Sequence, residues 1–228
     1  MRPVILESIM ANAGMQPSQG APRRMRIAVL NRVFSPTGGG AERYSIAMVE
    51  QLAQQHEIHV YAQQIDHSWP GVTYHRVSMP LTKPTWVNQL WYATATWWAT
   101  RRGFDIVHSH ENTWHGNVQT VHVLPVKHNL FDGRRGLALA LQWLMVCTSP
   151  RLLTYLALER LRFAPRAGRR IVVTSTMLYG VMCRAYPRCK PNLHVITPGV
   201  TLPVRPADSS ANKTKARRLL GLPLDARL

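Results

Sequence analysis

Acidic residues are scarce. Eleven Asp and Glu stand against 28 Lys and Arg in 228 residues, a formal charge of +17 at neutral pH. A surplus of that size favours nucleic acid, anionic lipid or acidic small molecules, and is silent about fold. Cysteine is sparse too. Cys147, Cys183 and Cys189 are odd in number and fit no paired zinc-ligand spacing, so reduced thiols of a cytosolic protein are the plain reading. No apolar run is long enough for a bilayer span: the longest, Leu137–Cys147, is interrupted by Gln142 and falls short of the roughly 20 residues required. A run of that length is a buried helix or an interfacial one. The G-x-G-x-x-G dinucleotide fingerprint is missing, and no Lys-Ser/Thr pair closes a Walker loop. The basic residues are spread along the chain without a recognised nucleic-acid motif, which sets nucleic acid aside as a partner.

Apolar residues make up 46% of the chain, enough for a core. Residues 1–24 hold Pro, Gly, Gln and Ser and end in Arg23-Arg24, and Glu7 and Ser8 break their only apolar stretch. That excludes a convincing signal peptide and suggests a disordered leader, with Met25 as a start. From Met25 to Val200 strands and helices alternate. Arg26–Asn31, Glu57–Gln63, Val72–Val77, Asp105–Ser109, Val118–Val123, Arg170–Thr174 and Leu193–Thr197 are short, β-branched and apolar, as strands are. Between them Ala41–Gln55, with Tyr44, Ala47, Met48 and Leu52 on one face, the Trp-rich Thr85–Arg102, 136–147, 151–163 and Met177–Tyr186 have helical character. This order argues for an α/β fold, a Rossmann-like parallel sheet with helices on both faces, binding ligands along the edge formed by strand C-termini. Residues 201–214 are Pro-, Ser-, Asn- and Thr-rich and suggest a linker. Lys215–Leu220 begins a helix that Gly221 can cap.

Two loops on that edge carry candidate chemistry. The first strand feeds Gly38-Gly39-Gly40, which opens a helix. Glycines let backbone approach a phosphate, and a helix N-terminus supplies unpaired N–H groups and positive dipole. The alternative is a flexible turn. Second, His108 and His110 end one strand and His122 ends the next, neighbouring positions on a parallel sheet. A neutral imidazole there can accept a hydroxyl proton or hydrogen-bond a polar ligand. A zinc site is the competing reading of His-x-His, but the other spacings match no zinc motif, so no metal is expected. His115 and His128 read as core or surface residues, and His108 is open between core and site.

The third feature is aromatic and cationic. Trp86, Trp91, Trp97 and Trp98 precede Arg101 and Arg102, and Arg134, Arg135, Arg151, Arg160, Arg162, Arg166, Arg169 and Arg170 flank apolar stretches. Tryptophans at this spacing read first as core. A membrane-interface helix is the alternative, and the arginines suit anionic lipid or lipid-linked acceptors as well as a solvated face.

The run MRIAVLNRVFSPTGGGAERYSIAMVEQLAQQHEIHVYAQ (25–63) resembles the opening of retaining glycosyltransferases of family four, which have the GT-B fold. Gly39, Gly40 and Glu42 match its Gly-Gly loop and the acidic or amide residue two positions on. DIVHSHE (105–111) resembles its Asp-hydrophobic-hydrophobic-His-x-His strand end, TVH (120–122) its Thr-x-His, and VITPGV (195–200) the turn into its second domain. The stretch TSPRLLTYLALERLRF (148–163) is similar to bacterial lipopolysaccharide-core glycosyltransferases. The resemblance implies that 25–200 is the N-terminal, acceptor-side domain. Gly38, Gly39 and Gly40 would then meet the donor diphosphate, Glu42 would serve the helix start, and His110 and His122 would lie by the transferred sugar as catalytic residues. The implied partners are a nucleotide-sugar donor, as substrate rather than cofactor, and an envelope glycan or lipopolysaccharide acceptor. Cofactors are none. The implied location is cytoplasmic, peripheral on the inner face of the cytoplasmic membrane.

The sequence departs from the family after residue 200. The family's second domain brings an Arg/Lys pair for the diphosphate and two glutamates separated by seven residues, and 201–228 contains neither. These residues read as a linker and the start of a truncated second domain, so the chain alone is expected to be inactive. The alternative function is a catalytically inactive module that binds an acceptor or a membrane.

Overall fold

The computed structural model describes residues 23–199 and 210–223. The expected leader lies outside them apart from Arg23 and Arg24, and so does most of the expected linker. In chain order the elements are β1 (Arg26–Leu30), β2 (Val33–Phe34), α1 (Gly40–Leu52), β3 (Glu57–Ala62), β4 (Gln64–Ile65), β5 (Val72–Arg76), α2 (Thr85–Thr100), β6 (Ile106–Ser109), β7 (Val118–Val121), α3 (Val126–Phe131), α4 (Gly136–Thr148), α5 (Pro150–Arg162), β8 (Arg170–Val173), α6 (Thr176–Ala185), a 3-10 turn at Pro187–Asn192, β9 (Leu193–Val195) and α7 (Ser210–Leu219).

Seven strands form one sheet in the order β5-β3-β1-β6-β7-β8-β9, every neighbouring pair parallel. A parallel sheet must be covered on both faces, and β1 shows why its sequence is a continuous apolar run. Ile27 and Val29 pack on one side with Ile46 and Val49 of α1 and with Ile58 and Val60. Ala28 and Leu30 pack on the other with Tyr92 of α2 and with Val107. A further core lies around β8, where Ile171 and Val173 meet Phe163, Leu178, Met182 and Leu193.

The alternating order is as expected; six of the seven strands end one to two residues short of their sequence limits, and β6 starts one residue late but ends at Ser109 as expected. Two short elements carry no sequence signal. β2 and β4 pair parallel beyond the ends of β1 and β3, and bury Phe34 beneath α1. The expected face of α1 also shifts: Ser45, Ile46 and Val49 are buried, whereas Ala47 is exposed and Tyr44 half-buried.

The core reading is overturned for three of the four tryptophans, and Trp86 is half-buried. Helix α2 buries Asn88, Gln89, Tyr92, Ala93, Thr96 and Thr100, and leaves Trp91, Trp97 and Trp98 exposed. The inward face is polar because each group has a partner there. Asn88 and Gln63 exchange amide bonds of 2.8 and 3.0 Å. Tyr92 Oη donates to the Tyr61 carbonyl at 2.8 Å, and Thr96 and Thr100 bond carbonyls of their own helix.

Of the described residues, those up to Thr197 form one compact unit and those from Pro198 a second. In the second, α7 begins at Ser210, inside the stretch read as linker. It closes at Gly221, whose φ is +63°. The Gly221 and Leu222 amides bond the Arg218 and Arg217 carbonyls at 3.3 and 2.9 Å, the paired bonds of a glycine-terminated helix.

One carboxylate joins three helices. Glu159 of α5 accepts from the Val126 and Lys127 amides at the start of α3, at 2.7 and 2.9 Å. It also accepts from Tyr186 Oη, just after α6, at 2.7 Å. Glu159→Gln turns an NH2 group toward one of these donors, so unfolding free energy is expected to fall by about 2 kcal/mol. Urea denaturation of both proteins at pH 7 checks this.

Candidate functional site

The strand order reverses between β1 and β6. From β1 the chain steps outward to β3 and β5, and from β6 it runs the other way to β7, β8 and β9. Such a reversal leaves a crevice outside the strand C-termini where the connections part. Here the β1 end leads to the glycine loop and α1, and the β6 end leads to His110.

The loop is a tight turn. Gly38 N–H donates to the Ser35 carbonyl at 3.2 Å, and the Ser35 and Thr37 hydroxyls bond at 2.9 Å. Gly39 is the N-cap of α1, and no side chain caps the helix there. Glu42 stands in the first turn, where a carboxylate opposes the positive end of the helix dipole. The three glycines differ in their surroundings. A Cβ on Gly38 would lie 2.9 Å from both Cβ and Cγ of Glu42, and one on Gly39 would lie 3.1 Å from Glu42 Oε2, whereas a Cβ on Gly40 would meet nothing within 4 Å. Gly38 is held by packing against Glu42. Gly40 faces open space.

The histidines converge as the strand ends imply. His110 Nδ1 and His122 Nε2 are 3.0 Å apart in a hydrogen bond, with the rings within 15° of parallel. Beneath them His108 stacks on His110 at 4.5 Å between centroids, and its Nε2 bonds Thr120 Oγ1 at 2.7 Å. Tyr44 of α1 presses edge-on against His122 and His110, at 5.2 and 5.9 Å. His115 and His128 stand apart: His115 is buried beside Trp114, and His128 pairs with Asp132 at 3.5 Å. Among the described residues no group of three or more His, Cys, Asp or Glu is arranged to hold a metal ion.

A buried cation underlies the cluster. Arg162 of α5 donates to Gln119 Oε1 at 2.9 Å and to the Thr120 carbonyl at 2.6 Å, and burial is the main reason its pKa drops to about 10. Burial, with the neighbouring His122 and Arg162 charges adding to it, pushes His108 down to about 3. Burial also drives His110 well below the usual imidazole range. His122 falls to about 4 through burial and Arg162, with Glu42 opposing weakly. These imidazoles are neutral at pH 7. A base this weak removes protons poorly at neutral pH. A neutral ring is nonetheless a good hydrogen-bonding group, and His110 Nε2 is buried with no partner.

The sequence reading did not identify the supports. Arg32 N–H donates to Glu111 Oε1 at 3.0 Å, Arg32 Nη1 to Gln89 Oε1 at 2.7 Å, and Gln89 Nε2 to the Asn112 carbonyl at 3.0 Å. These bonds tie the loop after β1 to α2 and to the segment after His110. Glu111, an acid beside His110 in an acid-poor chain, was the available clue. Tyr44 shares a helical face with Ala47, Met48 and Leu52 in the sequence, and its contact with the histidines is set by the fold.

The sequence pattern of Glycosyltransferase Family 4 matches residues 38–202, and the chain belongs to that family. Among solved structures it is similar to WaaG, a glycosyltransferase involved in lipopolysaccharide biosynthesis, with a TM-score of 0.69 and 16% identity over 86% of this chain and 51% of WaaG. It is also similar to Anabaena HepE in complex with UDP-glucose, with a TM-score of 0.50 and 14% identity over 87% of this chain and 50% of HepE. The chain thus spans about half the length of these structures, and identities this low speak for fold alone. Among curated proteins no sequence matches it.

Two outcomes follow from this geometry. The unfolded chain binds protons near pH 6.5 on histidines that stay neutral when folded, so stability is fully present above that pH and falls as the pH drops below it. His108, His115 and His122, with folded values of about 3, 4 and 4, each contribute a slope of up to about 1.4 kcal/mol per pH unit. Urea midpoints measured between pH 7.5 and 5 read the slope, and His108→Gln should flatten it. Gly38→Ala should destabilise by about 1–3 kcal/mol through overpacking on Glu42, while Gly40→Ala should be neutral or stabilising. Thermal melts of the two variants compare them directly.

Proposed function

We propose that the chain is the acceptor-side part of an enzyme that transfers a sugar from a nucleotide-sugar to an envelope glycan or lipopolysaccharide-type acceptor, with retention at the anomeric carbon and no metal. The observation that carries this reading is the convergence, at the β1–β6 crevice, of an uncapped helix N-terminus with the neutral His110–His122 pair. Membership of Glycosyltransferase Family 4 supports it, as does UDP-glucose in the HepE structure.

In the proposed reaction the acceptor hydroxyl oxygen bonds to the anomeric carbon, and the bond from that carbon to the diphosphate breaks. The electron pair leaves with the nucleoside diphosphate, which also takes up the hydroxyl proton. Gly39, Gly40 and the first turn of α1 receive the diphosphate, where N–H groups and the helix dipole favour negative charge. His110 and His122 hydrogen-bond sugar hydroxyls as neutral groups, and the partnerless His110 Nε2 is suited to that. The enzyme would work in the cytoplasm, on the inner face of the cytoplasmic membrane. Nucleic acid has no part in this reading.

Diphosphate departure needs cationic groups that this family draws from its second domain. Losing such stabilisation costs on the order of several kcal/mol. The 228-residue chain alone is therefore expected to turn over no measurable UDP-sugar in a diphosphate-release assay while still binding envelope oligosaccharide by calorimetry. His110→Ala with His122→Ala should weaken that binding about tenfold or more with circular dichroism unchanged. Robust turnover by the pure chain, or unaltered oligosaccharide binding by the double variant, would overturn the reading.

A further inference from the structure

Helix α4 is inside out for a protein in water. It carries no charged residue, buries Gln142 and Val146, and exposes Leu137, Leu141, Trp143, Leu144 and Met145. Leu137, Leu141 and Leu144 recur at helical spacing on one face, with 75, 57 and 63% of their surface open. A contiguous apolar face of this kind marks an interaction surface.

Charge identifies the partner. Between residues 134 and 170 the chain has eight arginines and a single acid, Glu159. That acid is buried and already bonded to Val126, Lys127 and Tyr186. Arg134, Arg135, Arg151 and Arg160 are exposed around α4 and α5. A second copy laid on this face would set arginine against arginine, and like charges across an interface disfavour it. An anionic lipid surface offers both complements, acyl chains for the leucines and phosphates for the guanidinium groups.

Length sets the mode of contact. Thirteen residues make a helix of roughly 20 Å, too short for a hydrocarbon core of about 30 Å, and α4 meets α5 at 97°. No single described helix is long and apolar enough to cross a membrane. An in-plane position remains. Helix α2 packs on α5 and α5 on α4, so the exposed Trp91, Trp97 and Trp98 belong to the same helical layer. Arg101 sits 3.6 Å from the Trp98 ring centroid, an aromatic-cation pair suited to the headgroup region.

We infer that α4 docks in the plane of an anionic bilayer, with its Leu137-Leu141-Leu144 face among the acyl chains and Arg134, Arg135 and Arg151 at the headgroups. The inference stands apart from the transfer reaction, since docking requires no sugar site.

The test is co-sedimentation of the 228-residue chain with vesicles of equal phosphatidylglycerol and phosphatidylcholine, and with pure phosphatidylcholine. Binding is expected to the mixed vesicles and at least tenfold weaker to the neutral ones. The triple variant Leu137→Gln, Leu141→Gln, Leu144→Gln changes only exposed positions. It should keep its circular dichroism and melting temperature and lose at least tenfold in vesicle binding. Arg134→Ser, Arg135→Ser and Arg151→Ser together should erase the preference for phosphatidylglycerol. Equal binding by the leucine variant, or no binding by the parent, would overturn the inference. So would sedimentation of the parent as a dimer that the leucine variant dissociates.

Discussion

The pairing of β1 with β6 holds the site together. Five-residue β1 lies in register with β6 from Ile27 opposite Ile106 to Leu30 opposite Ser109. The pairing is clamped at both ends. At the start, the Arg26 amide bonds Asp105 Oδ2 at 2.8 Å and the Asp105 amide bonds the Arg26 carbonyl at 2.9 Å. At the finish, the His110 amide bonds the Leu30 carbonyl at 3.0 Å. That last bond sets where His110 emerges beside the loop that opens α1. A one-residue slip in a strand turns every side chain to the opposite face, so the histidine cluster, the glycine turn and the Tyr44 contact all depend on this register.

A second dependence is electrostatic. Burying a guanidinium is costly unless its hydrogen bonds are met, and Arg162 has Gln119 and the Thr120 carbonyl as acceptors. Its position under β7 makes the region above it hostile to further positive charge. The stacked histidines stay neutral chiefly because they are buried, with Arg162 adding to it, which makes them fixed dipoles and weak bases. The crevice thus combines neutral polar groups and an uncapped helix end with a buried cation below them.

Much of this was legible in the chain. The alternation of apolar strands with helices specified a parallel sheet, because a strand apolar at every position can only be covered on both faces. His110 and His122 were correctly placed side by side because strands of a parallel sheet end along one edge. The inward faces of α1 and α2 were misread for a common reason. Helical periodicity says which residues share a face, but burial depends on what the facing elements offer. Asn88, Thr96 and Thr100 go inside α2 because Gln63 and the helix's own carbonyls accept and donate there. Trp91, Trp97 and Trp98 are left outside, where hydrophobicity alone would not have put them.

By itself, the sequence determined the order of elements, the parallel sheet, the cationic balance and the meeting of a glycine-opened helix with two strand-terminal histidines. All of these follow from local composition and from the geometry common to any parallel sheet. Only the tertiary structure decided that Gly38 is consumed by packing while Gly40 stays open, that Arg32 and Glu111 brace the crevice, and that α4 turns its leucines to the solvent. The Gly38 packing rests on how the turn enters α1, whereas the other two outcomes rest on contacts between residues distant in the chain, where the partner across the gap, and not the residue's own character, selects which side is buried.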